Sequence, residues 1–178
     1  MRYRGYRIDA IIAIALLTVP VLIGGQTFYK QVTVERPLAD ELQTISGVKK
    51  AIIAKTPAGY DITLDLSAVD NLPLVYRQAV SIIKKHLNPS TFSLQLVDSR
   101  TPALENLYWQ AQTYIEEAAM RGNFSAIATK LTQLATEADA QLEFYVDEEC
   151  IYLELYQDPH YLYAVRERYQ PSKEAVPL

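Results

Sequence analysis

The feature that most constrains this chain is an uncharged, strongly apolar segment near its start. It runs from Ile11 to Gly25 as IIAIALLTVPVLIGG, and it follows the arginines Arg2, Arg4 and Arg7. A membrane-spanning helix needs about 20 predominantly apolar residues, so this segment, even with its flanks, lies at the short end for one span. No small-x-small cleavage signal precedes Gln26, which favours an uncleaved anchor over a removed signal peptide.

The arginines before the apolar segment predict the orientation of the chain. Lysine and arginine accumulate on the cytoplasmic side of a membrane span, so the chain after the span is expected outside the cytoplasm. The prediction is a single-pass protein of the cell membrane with its C-terminal domain on the extracytoplasmic side. Its parts are a short cytoplasmic N-terminus (1–9), a transmembrane signal anchor (10–28), a stalk (29–36), an exported α/β domain (37–166) and a flexible tail (167–178).

Apolar periodicity divides the exported part into two halves. Residues 37–97 show helical spacing, then two alternating runs around the turn Thr56–Gly59, then a second helical pattern and a third alternating run. Residues 101–166 show a helical hairpin around Gly122 followed by a three-stranded meander. Burying all these one-sided patterns predicts an α+β fold, a two-layer α/β sandwich whose mostly antiparallel sheet is covered by helices. The predicted order is αββαβ-αα-βββ, and the sequence leaves open whether both halves share one sheet.

The first half also carries a recognisable junction between its first helix and first strand. The junction reads Leu42-x-x-Ile45-x-Gly47-Val48-x-x-Ala51. Together with the element order of residues 37–97, it resembles the ring-building motifs and BON-like small α/β domains of bacterial envelope and sporulation proteins. That resemblance implies a membrane-anchored part of an assembly that works through surface shape. The resemblance does not identify binding residues in this chain, because those families have no fixed binding motif.

Residue patterns for catalysis, cofactors or metals are missing from the sequence. The Thr56–Gly59 turn lacks the spacing of a phosphate-binding loop. Cys150 is the only cysteine, which excludes an internal disulfide and a cysteine-based zinc site. Asp158 and His160 are the residues that come nearest to an acid–base or metal cluster. A zinc site needs three or four His, Cys or carboxylate ligands, and this segment offers a single histidine. We therefore predict no catalytic, cofactor-binding or metal-binding residues and no enzymatic activity.

Tyrosine is the most distinctive residue type, with 13 in the chain. Tyr145, Tyr152 and Tyr156, with Glu154 among them, alternate with the apolar stripe of the predicted meander. Cross-strand aromatic pairs stabilise a sheet in their own right. Tyrosine is also enriched at protein interfaces. The four residues are therefore the candidate partner-binding surface.

These patterns predict a class of function rather than a partner. The leading hypothesis is a membrane-anchored, extracytoplasmic protein–protein interaction domain of a bacterial cell-envelope or sporulation assembly, with other envelope proteins or self-association as partners. The alternatives are an exported module for a small ligand or cell-wall fragment and, third, an enzyme around Asp158 and His160. Nucleic acid is not an expected partner, because 21 acidic residues outnumber 17 basic ones.

Overall fold

The computed structural model describes residues 34–87 and 92–168, and near the N-terminus two short paired strands, β1 (Arg2–Tyr3) and β2 (Tyr6–Arg7). The predicted transmembrane segment, most of the stalk and nearly all of the tail lie outside these residues. Within the described ranges, no helix combines the length and apolar character that crossing a membrane requires.

The chain from Arg36 onwards has the predicted order of helices and strands, and its α+β class is confirmed. The elements are α1 (Arg36–Leu42), β3 (Val48–Thr56), β4 (Gly59–Leu66), α2 (Leu72–His86), β5 (Phe92–Val97), α3 (Pro102–Arg121), α4 (Phe124–Glu137), β6 (Gln141–Val146), β7 (Cys150–Gln157) and β8 (His160–Glu167). Local chemistry sets the helix ends. The Thr101 side chain caps α3 by accepting the Leu104 N–H at 3.2 Å, and Gly122 ends it at φ +72°.

The two halves form separate three-stranded sheets, which answers the question that the sequence left open. In the first sheet, β3 and β4 form an antiparallel hairpin, while β5 runs parallel to β4. The parallel pairing follows from α2, which carries the chain back before β5 begins. The second sheet is an antiparallel meander in the order β6-β7-β8.

A single antiparallel bridge joins the two sheets in the described chain. The Tyr161 N–H donates to the Ser99 carbonyl at 3.2 Å. Ser99 lies just beyond β5, and Tyr161 lies at the start of β8, so the outer strands of the two sheets meet at this point. β5 runs towards the bridge and β8 runs away from it.

Two apolar cores lie on opposite faces of the second sheet. One contains α1, α2, the first sheet and the tyrosine-bearing face of β7 and β8. The other packs α3 and α4 against the aliphatic face, which consists of Ile151, Leu153, Leu155 and Leu162. As a result β7 is buried on both faces from Cys150 to Leu155. Cys150 is buried at the start of this strand.

Candidate functional site

The four residues predicted as a partner-binding surface do not share one exposed face. Tyr152 is 1% exposed and Glu154 0%, and Tyr156 is half-buried. Tyr145 alone lies at the surface, at 38% exposure. The expectation of an exposed tyrosine face is therefore corrected, because α2 and the loop before it pack against that face from within the same chain.

Inside the molecule, Glu154 and Tyr156 bind the loop between β4 and α2. Glu154 Oε1 accepts the Leu72 N–H at 3.0 Å, at the first residue of α2. The Tyr156 hydroxyl lies 2.6 Å from the Val69 carbonyl and 2.5 Å from Glu154 Oε2. Burial, the largest cause, raises the pKa of Glu154. These groups stabilise the joint between the two halves of the fold.

Two tyrosines of β8 complete the same joint. The Tyr161 hydroxyl donates to the Leu66 carbonyl at 2.8 Å, and Lys49 Nζ donates to that hydroxyl at 3.1 Å. The Tyr163 hydroxyl accepts the Val69 N–H at 2.8 Å. A loop buried between two sheets must have its backbone groups satisfied, and the tyrosine hydroxyls do this. The tyrosine-rich strands thus have a structural role that the sequence pattern alone did not reveal.

Asp158 and His160 lie at the β7–β8 turn, beside a cavity of about 360 Å³. The Ser99 hydroxyl is 3.1 Å from His160 Nδ1. A nucleophilic serine–histidine pair is usually oriented by a carboxylate on the other ring nitrogen. In the described part of the chain no hydrogen bond joins Asp158 to His160, and no group of three His, Cys, Asp or Glu residues could hold a metal ion.

A second cavity, of about 360 Å³, separates β5 from β8. We call it the inter-sheet groove. The bridge between Ser99 and Tyr161 closes one end. Residues from α2, β5, the loop before α3, α3 and β8 line it: Tyr76, Leu94, Gln95, Leu96, Arg100, Tyr108, Leu162, Tyr163, Ala164 and Val165.

Backbone groups of β8 point into the inter-sheet groove. The N–H groups of Tyr161 and Tyr163 donate away from β7, to the Ser99 carbonyl and to Asp98 Oδ2 at 2.9 Å. Backbone groups in an antiparallel strand alternate in direction, so Val165, the next residue of the same parity, directs its N–H and C=O towards the groove. An outer strand with unpaired backbone groups is a template for pairing with another chain.

The side walls of the inter-sheet groove are aromatic. Tyr76 of α2 stands on one side, in edge contact with Tyr152 at a centroid distance of 5.8 Å. Tyr108 of α3 stands on the other side, 5.7 Å from the ring of Trp109. Trp109 is 60% exposed, an unusual position for the only tryptophan of the chain.

Arg100 is the charged residue among those that line the inter-sheet groove. Its Nε and Nη2 donate to the two carboxylate oxygens of Asp98 at 2.8 and 2.9 Å. The Asp98 side chain is 1% exposed and that of Arg100 is 42% exposed. The hydrogen bond to Asp98 also raises the pKa of Arg100. The guanidinium is therefore held in place by a buried carboxylate while part of it stays accessible.

No known family model matches the chain, and no curated protein matches it in sequence. Evidence about function therefore comes from the sequence and from the geometry of the site. Sequence patterns missed the lining of the groove, because its residues come from separate elements that only the fold brings together. The one usable signal was the pair Asp98 and Arg100 directly before the α3 cap, which has no specific meaning in isolation.

Proposed function

We propose that this chain is a membrane-anchored, extracytoplasmic protein-interaction domain of a bacterial cell-envelope or sporulation assembly, with the inter-sheet groove as its contact site. The observation that carries the proposal is the groove itself, where the outer strands of two sheets face each other without pairing beyond one bridge. The proposal includes no catalytic role.

The composition of the groove supports protein binding. Tyrosine, tryptophan and arginine are the residues enriched in protein contact sites and in the positions that dominate binding energy. Tyr76, Tyr108, Trp109 and Arg100 lie in or beside the groove. The walls are built on α2 and α3, two well-capped helices, so the contact site is held on rigid elements.

The location of the domain rests on its sequence. The apolar segment at 10–28, preceded by arginines, supports a single membrane anchor with the domain outside the cytoplasm. The resemblance of residues 37–97 to ring-building and BON-like domains supports a place in an envelope or sporulation assembly. The partners that fit are other envelope proteins or a second copy of the chain.

Site-specific photo-cross-linking in living cells tests the contact site. A photoreactive phenylalanine analogue at Trp109 should form a cross-link to a specific protein. The matched control places the same analogue at Met120, which is 89% exposed. Met120 lies about three turns further along α3, on nearly the same face of the helix. Equal cross-linking patterns from both positions, or no product from Trp109, would contradict the proposal.

Thiol labelling tests the location separately. Cys150 is 5% exposed and should stay unreactive in the folded chain, whereas a Met120→Cys variant offers an accessible thiol. A membrane-impermeant reagent should label this variant in intact cells. Labelling only after lysis would show that the domain lies on the cytoplasmic side.

The cavity at the β7–β8 turn favours a second candidate, a module that binds a small ligand or cell-wall fragment. The cavity has polar residues, among them Asp139, Gln141 and His160, beside the rings of Tyr156 and Tyr161. Binding sites for small molecules commonly combine such polar groups with aromatic walls. A thermal upshift with cell-wall fragments that is lost in a His160→Ala variant would support this candidate.

A further inference from the structure

We infer that the inter-sheet groove binds an extended segment of a partner protein as an added β-strand, and that this segment alternates apolar with acidic side chains. The inference rests on the proposed function, because it names the kind of partner that the same groove accepts. It goes further by stating the backbone geometry and the side-chain chemistry of the segment.

The backbone argument concerns the two outer strands. Neighbouring strands in a sheet lie about 4.8 Å apart, and an added strand pairs with whichever edge offers N–H and C=O groups at that spacing. Val165 directs both groups into the groove, and β5 presents the unpaired edge of its own sheet on the other side. At the open end of the groove, away from the bridge between Ser99 and Tyr161, an incoming strand would pair first with this free edge of β8.

The residues on one side of the groove indicate why every second side chain of the partner segment should be apolar. Leu94 and Leu96 of β5 and Val165 of β8 pack against the core that contains α1 and α2. Tyr76 borders the groove on that same side. Side chains of an added strand alternate between the two faces of the sheet. Every second side chain would therefore meet aliphatic and aromatic groups and should itself be apolar.

The residues on the opposite side of the groove indicate why the alternate side chains of the partner segment should be acidic. Gln95 is exposed and points to the face of β5 away from the core, and Ala164 lies on the corresponding face of β8. Arg100 is the charged group that lines this groove. Asp98 engages its Nε and Nη2, which leaves Nη1 to donate to an incoming carboxylate. The remaining N–H groups of this guanidinium therefore favour a carboxylate side chain of the partner on this face.

Synthetic peptides test the inference on the full-length chain in detergent micelles. The probe is a blocked peptide of about seven residues, the length of a typical strand, with Val and Glu in alternation. Two controls change one property each: methyl groups on alternate backbone nitrogens remove strand hydrogen bonds, and Lys in place of Glu reverses the charge. Calorimetry should show binding of the probe and at least about a tenfold weaker affinity for each control.

A matched pair of variants tests the charge requirement without disturbing the buried Asp98. Gln95→Lys should tighten binding of the acidic probe roughly two- to fivefold, and Gln95→Glu should weaken it by a similar factor. The same substitutions at Gln133, an exposed position of α4 away from the groove lining, should leave the affinity unchanged. Circular dichroism would verify that all four variants fold.

Three results would overturn the inference: no binding of the probe, equal affinity for the N-methylated peptide, or no effect of charge at Gln95. If one of these occurs while Trp109 cross-links to a specific protein, the proposed function stands and strand addition is wrong. If the probe binds as expected but Trp109 and Met120 give the same cross-links, the groove binds strands while its assignment as the cellular contact site fails.

Discussion

Glu154 is a fully buried carboxyl group whose protonation state follows from its neighbours. The Tyr156 hydroxyl has one proton but lies within 2.6 Å of the Val69 carbonyl and 2.5 Å of Glu154 Oε2. If it donates to Val69, its contact with Glu154 is satisfied only when the carboxyl group is protonated and donates in turn. Burial is the largest cause and raises the pKa of Glu154, the hydrogen bonds from Tyr156 and from the Leu72 N–H lower it, and the charges of Glu143 and Asp70 raise it, so that the net shift is upward. We predict that this carboxyl group stays protonated to higher pH in the folded protein than in the unfolded chain.

Two substitutions separate the hydrogen bonds of Glu154 from its ability to ionise. In Glu154→Gln, the amide oxygen still accepts the Leu72 N–H and the amide N–H donates to Tyr156, as a protonated carboxyl group would. This variant should lie within about 1 kcal/mol of the native stability at low pH. Glu154→Ala removes both bonds and leaves a cavity, so it should cost about 2–4 kcal/mol.

The dependence on pH distinguishes the native chain from the glutamine variant. Because the folded-state pKa of Glu154 is raised above its ordinary value of 4.5, the folded state binds the proton more tightly than the unfolded state. The corresponding stability is present below the unfolded-state pKa and is lost as pH rises through the folded-state pKa. Across that window, Glu154→Gln should gain about 1.4 kcal/mol per pH unit relative to the native chain.

Urea unfolding followed by circular dichroism, at several values between about pH 4 and pH 8, measures this difference. Comparing the two proteins at each pH cancels the contributions of the other carboxyl groups. Parallel stability curves for the native chain and Glu154→Gln would refute the raised pKa of Glu154 in the folded state. A glutamine variant as unstable as Glu154→Ala would refute the proposed hydrogen-bond pattern.

Two further positions allow direct tests. Gly47→Ala should cost more than about 2 kcal/mol in urea unfolding, because the backbone is left-handed at φ +93° and an added Cβ would lie 2.2 Å from Val69 Cγ1. The control Gly122→Ala, at φ +72° with nothing within 4 Å, should cost clearly less, and equal losses would contradict the steric argument. The hydrogen bond to Glu143 raises the pKa of Tyr145 to about 12. An ultraviolet titration, with the Tyr145→Phe variant as the reference that isolates the signal of Tyr145, measures this pKa. We expect a lower pKa of Tyr145 in Glu143→Gln, and an unchanged pKa would show that the hydrogen bond to Glu143 is not its cause.

Local patterns were sufficient to predict the helices and strands. Alternation along β4 put Ile62, Leu64 and Leu66 on one face, and all three are 0% exposed. Gly122 marked the turn of the helical hairpin, and α3 ends at this glycine. These signals act within a few residues, so they can be detected in the sequence without knowledge of the fold.

The candidate site could not be predicted in the same way. Tyr145 and Tyr152 lie directly opposite each other on the paired strands β6 and β7, and the sequence predicted one exposed face for both. The fold buries Tyr152 under α2 and leaves Tyr145 at the surface, because the first half of the chain covers only part of the second sheet. Whether a polar strand face meets water or another layer depends on contacts between residues that are far apart in sequence.

The sequence by itself determined the apolar N-terminal segment, the order of helices and strands, the lack of catalytic motifs and the acidic balance of charge. The tertiary structure decided that the halves form two sheets, that Glu154 and its tyrosines bind a buried loop, and that β5 and β8 border a groove. The physical reason is the separation along the sequence over which each kind of interaction acts. Periodicity, caps and composition act locally, whereas the pairing of Ser99 with Tyr161 and the gap beside it exist only when distant parts of the chain pack together.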